Sequence, residues 1–547
     1  MKKTLALLLV VGLGATACSG DPETHDPDDT TATTNGTGAA REWARQYFED
    51  YESGEGDGAA PAAAGAAEGD STQLDSSQEV APVPVPPPPP SPEEDNTFTD
   101  VGDSIWVRAQ DSPLSTFGLD VDTGSYRVAH GMAVEGLAPD PDSIRVEEWV
   151  NSFEYADSSP EGSALGLQVE TGAAPRAEQG TALVRVGISS VEIADEDRPP
   201  ANITFVIDTS GSMDIRERLG LVKSSLALLV ESLHEDDTIA IVIYGSEAEP
   251  VLEPTPVADR DTIIGAIDDL TSGGSTNMEA GLRVGYEQAR AARIEDGINV
   301  VVLASDGVAN VGVTDGGALA EEIAGAGEEG IHLVTVGYGM GNYNDTLMEQ
   351  LANQGDGFYA YVDTFEEAEQ LFVEDLTQTL TVVARDAKSQ VEFDPELVDS
   401  YRLIGYQNRA LEDEEFRDDT VDAGELGAGH RVSALYELVP TGDLQEGAEV
   451  GEARLRWADP ETGETTEVNA PITWSLEEPS ESLRLAALVA DSAELLKGNS
   501  VVTERGITAA DLRAEGEELT GAGVEGVADL LSLLDTDLRR SERPEGD

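Results

Sequence analysis

The chain has 547 residues, which is enough for about three to five domains at roughly 100 to 200 residues each. Asp and Glu number 109 against 32 Lys and Arg, so the formal net charge is -77. Phosphate backbones are bound through clusters of basic side chains, so this charge argues against a nucleic-acid partner. It also argues against a protein body that lies flat on an anionic membrane.

The amino terminus has the features of a secretory leader. Two lysines precede an apolar run over residues 5–13, and small residues at 15–17 stand before Cys18, the single cysteine of the chain. This arrangement resembles the leader of bacterial lipoproteins, and it implies a signal peptide and lipobox over residues 1–18 with a lipid anchor at Cys18. The protein would then be anchored in the cell envelope, at the outer rather than the inner membrane, with its body extracytoplasmic. An ordinary secretory leader with an incidental cysteine is the alternative.

Residues 19–96 are rich in Asp, Thr, Gly, Ala, Ser and Pro, with few large apolar side chains, and predict a disordered tether. One aromatic island interrupts this composition. Trp43, Tyr47 and Tyr51 recur every four residues and would share one face of a helix. Because so short a helix is marginal in isolation, we expect it to form only transiently. A peptide that docks onto a partner is the alternative.

Folded sequence follows the tether. Residues 97–199 predict an N-terminal flank rich in strands, with a helix over 142–153. Over residues 200–385, apolar strands alternate with amphipathic helices, which indicates a buried, mostly parallel sheet covered on both faces. Residues 386–476 return to strand periodicity, and residues 477–547 predict helices. We therefore expect a doubly wound α/β domain inserted between two β-rich flanks that pack together as one β-domain.

Within the α/β domain the predicted elements alternate regularly. In chain order they are strand 203–208, helix 216–234, strand 239–245, helices 260–270 and 277–293, strand 299–305, helix 316–329, strand 332–339, helix 344–353, strand 358–363 and helix 365–380.

Oxygen-bearing side chains follow the predicted strands of this domain. Asp208, Ser210 and Ser212 form a D-x-S-x-S motif at the end of its first strand, the edge where open α/β sheets bind ligands. Thr276 lies in a glycine-rich loop, and Asp306 directly follows another strand. Two carboxylates and three hydroxyls at one point suit Mg²⁺, with Mn²⁺ or Ca²⁺ as alternatives. The alternative that Asp208 and Ser210 only cap a helix leaves Thr276 and Asp306 without a role.

These residues resemble the metal-ion-dependent adhesion site of von Willebrand factor type A domains. The resemblance implies that the three hydroxyls and two carboxylates hold the ion directly or through water, leaving one position for a carboxylate of a protein partner. Residues 115–126, 144–155 and 400–440 resemble the flanks of bacterial YfbK-like von Willebrand factor A lipoproteins, and the similarity covers most of residues 98–498. The family implies a metal-dependent protein-binding module for adhesion or scaffolding, and not an enzyme.

Two alternatives to this function remain. A structural envelope protein would use the metal only to stabilise its fold. An aspartic peptidase would use Asp122 of the D-T-G-S run at 122–125; no second D-T-G occurs, although a homodimer could supply it. Asp120 and Asp122 could also hold a second cation, but the other ligands of a calcium loop are missing. The five histidines have no zinc-protease spacing, and neither a nucleophile elbow nor a P-loop occurs.

Overall fold

The computed structural model describes residues 34–51, 53, 102–119, 121, 123–134, 136–160, 162–295, 297–306, 316–339, 345–375, 381–406, 415–417, 424–460 and 462–541. The predicted leader, Cys18, most of the predicted tether, Asp120 and Asp122 lie outside these residues. Over the described ranges, no helix is both long and apolar enough to cross a bilayer.

The strands are, in chain order, β1 (Val107–Arg108), β2 (Leu114–Phe117), β3 (Leu165–Ala173), β4 (Ala182–Ser190), β5 (Ala201–Asp208), β6 (Thr238–Tyr244), β7 (Ala248–Pro256), β8 (Ile298–Ser305), β9 (His332–Tyr338), β10 (Tyr359–Val362), β11 (Val382–Phe393), β12 (Val398–Ile404), β13 (Leu426–Gly427), β14 (Arg431–Pro440), β15 (Glu449–Ala458) and β16 (Thr465–Thr473). The helices are α1 (Thr34–Glu49), α2 (Gly124–Val134), α3 (Val146–Asn151), α4 (Leu221–Ser232), α5 (Arg260–Asp268), α6 (Met278–Ala291), α7 (Gly316–Glu328), α8 (Asp345–Gln354), α9 (Phe365–Glu369), α10 (Glu481–Lys497), α11 (Ser500–Arg505), α12 (Ala509–Ala522) and α13 (Val527–Ser541).

A six-stranded sheet lies at the centre of the α/β domain, in the order β10-β9-β8-β5-β6-β7. Neighbouring strands are parallel except for β6 with β7. Every residue of β5 and β8 is buried, because helices cover both faces of the sheet. The chain continues from β5 to β6 on one side and returns to β8 on the other. Ligands of open α/β sheets bind at the carboxyl ends of strands where the order reverses in this way.

Separate apolar cores lie on the two faces of this sheet. On one face, α4, α5 and α9 pack through side chains such as Leu226, Ile263 and Phe365. On the other, α6 and α8 pack through side chains such as Leu282 and Met348, joined by α7. The predicted doubly wound α/β fold is therefore confirmed.

The edge strand β7 was not predicted from the hydropathy pattern. It pairs antiparallel with β6, and its sequence contains Pro250, Pro254 and Pro256. Proline cannot donate a backbone hydrogen bond, so in sheets it is confined to edges and bulges. The prolines hide the strand from sequence patterns and at the same time suit its position at the edge.

The two flanks form one β-domain, as expected. Strand β4 of the first flank pairs antiparallel with β14 of the second, from Ala182 opposite Leu438 to Ser189 opposite Arg431. The full order of that sheet is β1-β12-β14-β4-β3. A second sheet has the order β13-β11-β15-β16, with β2 also paired to β11. Side chains of both sheets share one apolar core, so the α/β domain is an insertion between β4 and β11.

Helices cover one side of the β-domain. The first flank contributes α2, which was not predicted, and α3, which is shorter than the predicted helix 142–153. They pack with α10 to α13 around Trp149, which is fully buried. Of these C-terminal helices, α11 was not expected as a separate turn; its end is set by Gly506, which has a left-handed backbone with φ 69°.

Helix α1 packs against the α/β domain, which corrects the expectation of a helix that forms only transiently. Ala44 is fully buried in the same core as α4, and the rings of Trp43 and Tyr47 meet edge to face at 5.4 Å. A short amphipathic helix gains most of its stability from tertiary packing. The aromatic face is therefore an internal contact, and sequence periodicity alone does not identify the surface that covers it.

Candidate metal centre at the carboxyl edge of the sheet

Two acidic residues end neighbouring parallel strands. Asp208 is the last residue of β5, and Asp306 directly follows β8. The register aligns Ile207 with Ala304, so both carboxylates lie at the same edge. Both residues are fully buried, and Ser305 Oγ lies 3.4 Å from Asp208 Oδ2. The structure thus brings together the two carboxylates that the sequence selected.

The loop after β5 turns its two serines toward each other. The backbone N–H of Ser210 donates to Asp208 Oδ1 at 2.7 Å, which bends the chain around the carboxylate. Ser210 Oγ and Ser212 Oγ lie 3.0 Å apart. Ser210 precedes the short 3-10 turn Gly211–Met213 without a side-chain capping hydrogen bond. Helix capping therefore does not explain this serine pair.

Thr276 belongs to a loop tied to the same edge. The N–H of Gly273 donates to the carbonyl of Thr209 at 2.5 Å, and the N–H of Asn277 donates to the carbonyl of Gly245 at 3.0 Å. Gly274 has a φ of 105°, and a Cβ there would lie 3.1 Å from the backbone nitrogen of Ser246. Only glycine fits that conformation at so close an approach. Thr276 itself is buried, below an exposed turn.

Burial shapes the electrostatics of this site. Burial raises the pKa of Asp208 to about 6 with help from the neighbouring charge of Asp306, and the N–H of Ser210 opposes the shift. A buried carboxylate is costly unless a cation or hydrogen-bond donors compensate it.

Arg218 was missed by the sequence analysis. Its Nη1 lies 2.7 Å from Asp306 Oδ2 and 2.8 Å from the carbonyl oxygen of Ser212. It projects from a π-helical turn, Arg216–Gly220, that leads into α4. Such turns often occur at functional sites. The available signal was a basic residue six positions after the last serine of the motif, within a predicted helix where it reads as a solvent-facing charge.

The donor set fits a hard divalent cation. Asp208 and Asp306 supply two carboxylates, and the paired serine hydroxyls supply further oxygens, the ligands that Mg²⁺ and Ca²⁺ prefer. In the part of the chain that the structure describes, no three or more Asp, Glu, His or Cys side chains cluster to hold a metal. An ion at this edge would therefore need Ser210, Ser212 and Thr276 as well as the two carboxylates.

A cleft of about 610 Å³ adjoins the metal-side loops. Trp43, Tyr47 and Tyr51 of the α1 segment line one side, and Asp214 and Thr271 line the other. Asp214 lies two residues beyond Ser212, so the cleft and the α1 segment lie beside the loop that carries the serine pair.

The other candidate residues have structural contacts or lie outside the described ranges. In the D-T-G-S run, the Ser125 hydroxyl donates to the carbonyl of Ser143 at 2.6 Å and accepts from the N–H of Arg145 at 2.9 Å. This serine joins α2 to the turn before α3. A ring nitrogen of His332 lies 2.9 Å from a backbone carbonyl oxygen, and a ring nitrogen of His430 lies 3.0 Å from another.

A doubly wound sheet with D-x-S-x-S, a threonine loop and an aspartate at its carboxyl edge defines a von Willebrand factor type A domain. The family model described as von Willebrand factor type A domain matches residues 202–374, and this family consists of protein-interaction modules. The models described as von Willebrand factor and as the C-terminal part of the uncharacterized protein YfbK match residues 92–185 and 378–535.

The chain is 38% identical over 413 residues to the uncharacterized protein YfbK of Escherichia coli (strain K12), covering 71% of this chain and 72% of that one. It therefore belongs to the YfbK family of von Willebrand factor type A proteins.

More distant similarity is limited to shorter stretches or to the fold. The inter-alpha-trypsin inhibitor heavy chain H3 of Homo sapiens is 29% identical over 170 residues, covering 29% of this chain and 18% of its own length. A solved von Willebrand factor type A structure from Catenulispora acidiphila has 17% identity and a TM-score of 0.38, covering 72% of this chain and 89% of that one.

Proposed function

We propose that this protein is a lipid-anchored bacterial cell-envelope protein whose von Willebrand factor type A domain binds a protein partner through a divalent metal ion. The observation that carries the proposal is the charge at the sheet edge. Asp208 and Asp306 end neighbouring strands, both are fully buried, and the guanidinium of Arg218 bonds Asp306 and the carbonyl of Ser212. Two buried carboxylates this close together are costly to keep charged, so a bound cation would stabilise the pair.

The ligands of the ion would be the carboxylates of Asp208 and Asp306 and the hydroxyls of Ser210, Ser212 and Thr276. Mg²⁺ is the first choice, with Mn²⁺ or Ca²⁺ as alternatives. The bound ion supplies an electrophilic centre that accepts a carboxylate from outside. Three neutral hydroxyls among the ligands preserve that electrophilic character, and the exposed turns at Gly211 and 273–275 leave the hydroxyls just beneath the surface.

The partner would be a protein that offers an Asp or Glu side chain, in adhesion or in scaffolding of an envelope complex. A nucleic acid is a poor candidate because the net charge of -77 repels phosphate. The proposal assigns no catalytic residue.

The anchor is proposed at Cys18, with the body held outside the cytoplasm at the outer rather than the inner membrane. The basic, apolar and small-residue order of the leader supports it. Cys18→Ser should move the protein from the membrane fraction to the soluble or unprocessed fraction. A mutant that still sediments with membranes at the mature mass would refute the anchor.

Pull-down from an envelope extract tests the binding function. Wild type, Asp208→Ala and Thr276→Ala are compared in Mg²⁺ and in EDTA, with Asp236→Ala as a control that removes one exposed carboxylate at the amino end of β6. We expect capture by wild type and the control in Mg²⁺, loss with Asp208→Ala or EDTA, and weakening with Thr276→Ala.

Capture that persists in EDTA and with Thr276→Ala would contradict the proposal. If Mg²⁺ stabilises the protein against unfolding in that case, the metal serves the fold alone and the protein is a structural envelope component.

A further inference from the structure

The α1 segment occupies a surface shaped to receive it. Ala44 is fully buried against the α/β domain, and its carbonyl accepts a hydrogen bond from Ser224 Oγ of α4 at 2.9 Å. Gly220, at the start of α4, faces the ring of Tyr51, and a Cβ there would lie 3.0 Å from that ring. A buried donor and a residue without a side chain are features of a fitted interface, not of incidental contact.

Charged groups fix the register of α1 on this surface. Arg41 and Arg45, four residues apart, pair with Glu369 at 2.5 Å and Glu366 at 2.7 Å, both on α9. The guanidinium of Arg45 also lies 4.1 Å from the ring centroid of Phe365. Cation-to-ring contacts at this distance are favourable, especially where the ring is buried.

Two tyrosines of the segment donate to aspartates of the α/β domain. Tyr47 Oη lies 2.5 Å from Asp268 Oδ1, at the end of α5, and Tyr51 Oη lies 2.9 Å from Asp214 Oδ1. The two acceptors differ in their relation to the candidate metal centre. Asp214 is two residues from Ser212, whereas Asp268 is eight residues from Thr276.

Tyr51 therefore holds both ends of the stretch that carries Arg218. Its hydroxyl bonds Asp214 before that stretch, and its ring packs on Gly220 after it. The same stretch begins where the Ser212 turn ends, since Asp214 is the C-cap of Gly211–Met213. Displacement of Tyr51 would loosen the turn that carries Ser212, one of the hydroxyl ligands of the proposed metal site.

We propose that the α1 segment, residues 34–51, is an internal ligand of the von Willebrand factor type A domain, and that its docking and divalent-metal binding strengthen each other through Tyr51 and Asp214. The coupling rests on the proposed function, whereas the docking does not. Linkage requires the effect to be reciprocal: docked α1 raises metal affinity, and bound metal holds α1 by the same factor.

Docking would also control how far the body stands from its anchor. Only 15 residues separate Cys18 from α1, against 83 residues between Cys18 and Gly102. At about 3.3 to 3.6 Å per residue, these lengths reach at most about 54 Å and about 300 Å. Metal binding would thus favour the short connection to the membrane.

Two variants that each remove one phenolic hydroxyl test the coupling. Tyr51→Phe and the matched control Tyr47→Phe are purified as full mature chains in detergent, and Mg²⁺ affinity is measured by calorimetry. We expect Tyr51→Phe to weaken Mg²⁺ binding by about fivefold or more, the lower range of typical couplings, with Tyr47→Phe close to wild type. Glu42→Gln, on the exposed side of α1, should change nothing.

The reciprocal effect is measured on the docked helix itself. A site-specific protease sequence is inserted between Gly58 and Ala59 of the full chain, and retention of the cleaved amino-terminal fragment on the body is followed in Mg²⁺ and in EDTA. We expect retention in Mg²⁺ and faster loss in EDTA. Trp43→Ala should lose the fragment in both.

The outcomes test the docking of α1, its coupling to the metal, and the proposed metal function separately. Immediate loss of the wild-type fragment in Mg²⁺ would overturn docking. Retention that ignores Mg²⁺, or equal Mg²⁺ affinity in Tyr51→Phe and wild type, would overturn the coupling while the proposed metal function stands. If wild type binds no Mg²⁺, the coupling and the proposed function both fail, and fragment retention still reports docking.

Discussion

Two clusters of buried charge in this protein compensate their carboxylates in different ways. In the β-domain, Arg402 lies 2.9 Å from Glu437 and 2.6 Å from Glu494, and Arg505 makes two more bonds to Glu437 at 2.6 and 3.0 Å. That cluster sets Arg402 and Arg505 against two carboxylates, beside a third carboxylate, Asp491, that pairs with Arg176 at 2.7 Å. At the edge of the α/β sheet, the guanidinium of Arg218 bonds Asp306, whereas Asp208 accepts from the backbone N–H of Ser210.

The pKa shifts follow the number of guanidinium groups that each carboxylate faces. Burial would raise the pKa of Glu437, but hydrogen bonds from Arg505 and the charge of Arg402 outweigh it, and the pKa is lowered. Glu494 is bonded to Arg402, and burial raises its pKa. Burial raises the pKa of Asp208 to about 6.

The way in which the carboxylates are compensated distinguishes a structural charge cluster from a candidate binding site. Buried acids alone do not mark a ligand site, because the β-domain cluster compensates its own acids with side chains. The sheet-edge cluster instead sets Asp208 beside Asp306, whose charge helps to raise the pKa of Asp208, and the hydroxyls of Ser210 and Ser212 follow in the same loop. A diffusible cation would complete it.

The largest expected effect comes from breaking the balanced cluster. Arg402→Met should lower the free energy of unfolding of the β-domain by roughly 3 to 5 kcal/mol, because it leaves two buried carboxylates with one fewer cation. Chemical denaturation, followed by the fluorescence of the buried tryptophans, measures the loss.

Arg431→Met is the matched control, since Arg431 lies on β14 and is about a third exposed. Its removal should cost at most about 1 kcal/mol. Equal effects of the two substitutions would show that the Arg402 cluster contributes no more than a surface pair.

Adding Mg²⁺ should give the next largest effect. Mg²⁺ at about 100 times its Kd should raise the free energy of unfolding of the α/β domain by about 2.7 kcal/mol, because only the folded state presents the ligands together. Asp208→Ala and Asp306→Ala should lose this increment in thermal unfolding with and without Mg²⁺.

The control Asp236→Ala should keep the increment. A melting shift of the same size in all variants would mean that Mg²⁺ acts through general screening of the acidic surface and not at the sheet edge.

Removing Arg218 should raise the affinity of the candidate site for Mg²⁺. Arg218→Gln leaves Asp306 without its guanidinium, so the divalent ion no longer competes with a resident cation. We expect Mg²⁺ affinity to rise by about tenfold, equivalent to about 1.4 kcal/mol, with lower stability in EDTA. Calorimetric Mg²⁺ titration and melting in EDTA measure the two effects.

Arg260→Gln is the comparison, because Arg260 opens α5, is about two-fifths exposed, and pairs with Glu231 at 2.9 Å. It should leave both quantities nearly unchanged. Weaker Mg²⁺ binding in Arg218→Gln would instead mean that Arg218 orients Asp306 for the metal and does not compete with it.

Much of the α/β domain was predictable because its strands are fully buried. β5 and β8 are apolar throughout, so the parallel sheet and its carboxyl edge can be located from sequence, and with them Asp208 and Asp306. β7 was not predictable by hydropathy, since an exposed, proline-containing edge strand lacks the pattern of a buried one.

The contacts of Arg218 with Asp306 and of Tyr51 with Asp214 could not be predicted, because they depend on tertiary structure. Arg218 reads as an ordinary helical surface charge until the π-helical turn directs it to Asp306. The aromatic face of α1 is visible in sequence, but its partner is a glycine and an aspartate about 165 residues later. Neither Gly220 nor Asp214 carries a periodic signal that would reveal the contact.

The smallest expected effect concerns salt, and it separates the sheet-edge charge from the charge of the whole molecule. The net charge of -77 repels an acidic partner, but repulsion between exposed charges is screened beyond about 8 Å at physiological ionic strength. A carboxylate bound at the metal would be screened far less, because the groups around it are buried. We therefore expect the Mg²⁺-dependent partner to bind equally well or up to about threefold more tightly as NaCl rises from about 50 to about 300 mM. Quantitative pull-down over that range measures the change, with Asp208→Ala as the background. Affinity that falls tenfold or more with salt would mean that long-range attraction to the acidic surface, and not the sheet edge, holds the partner, because only exposed charges respond so strongly to screening.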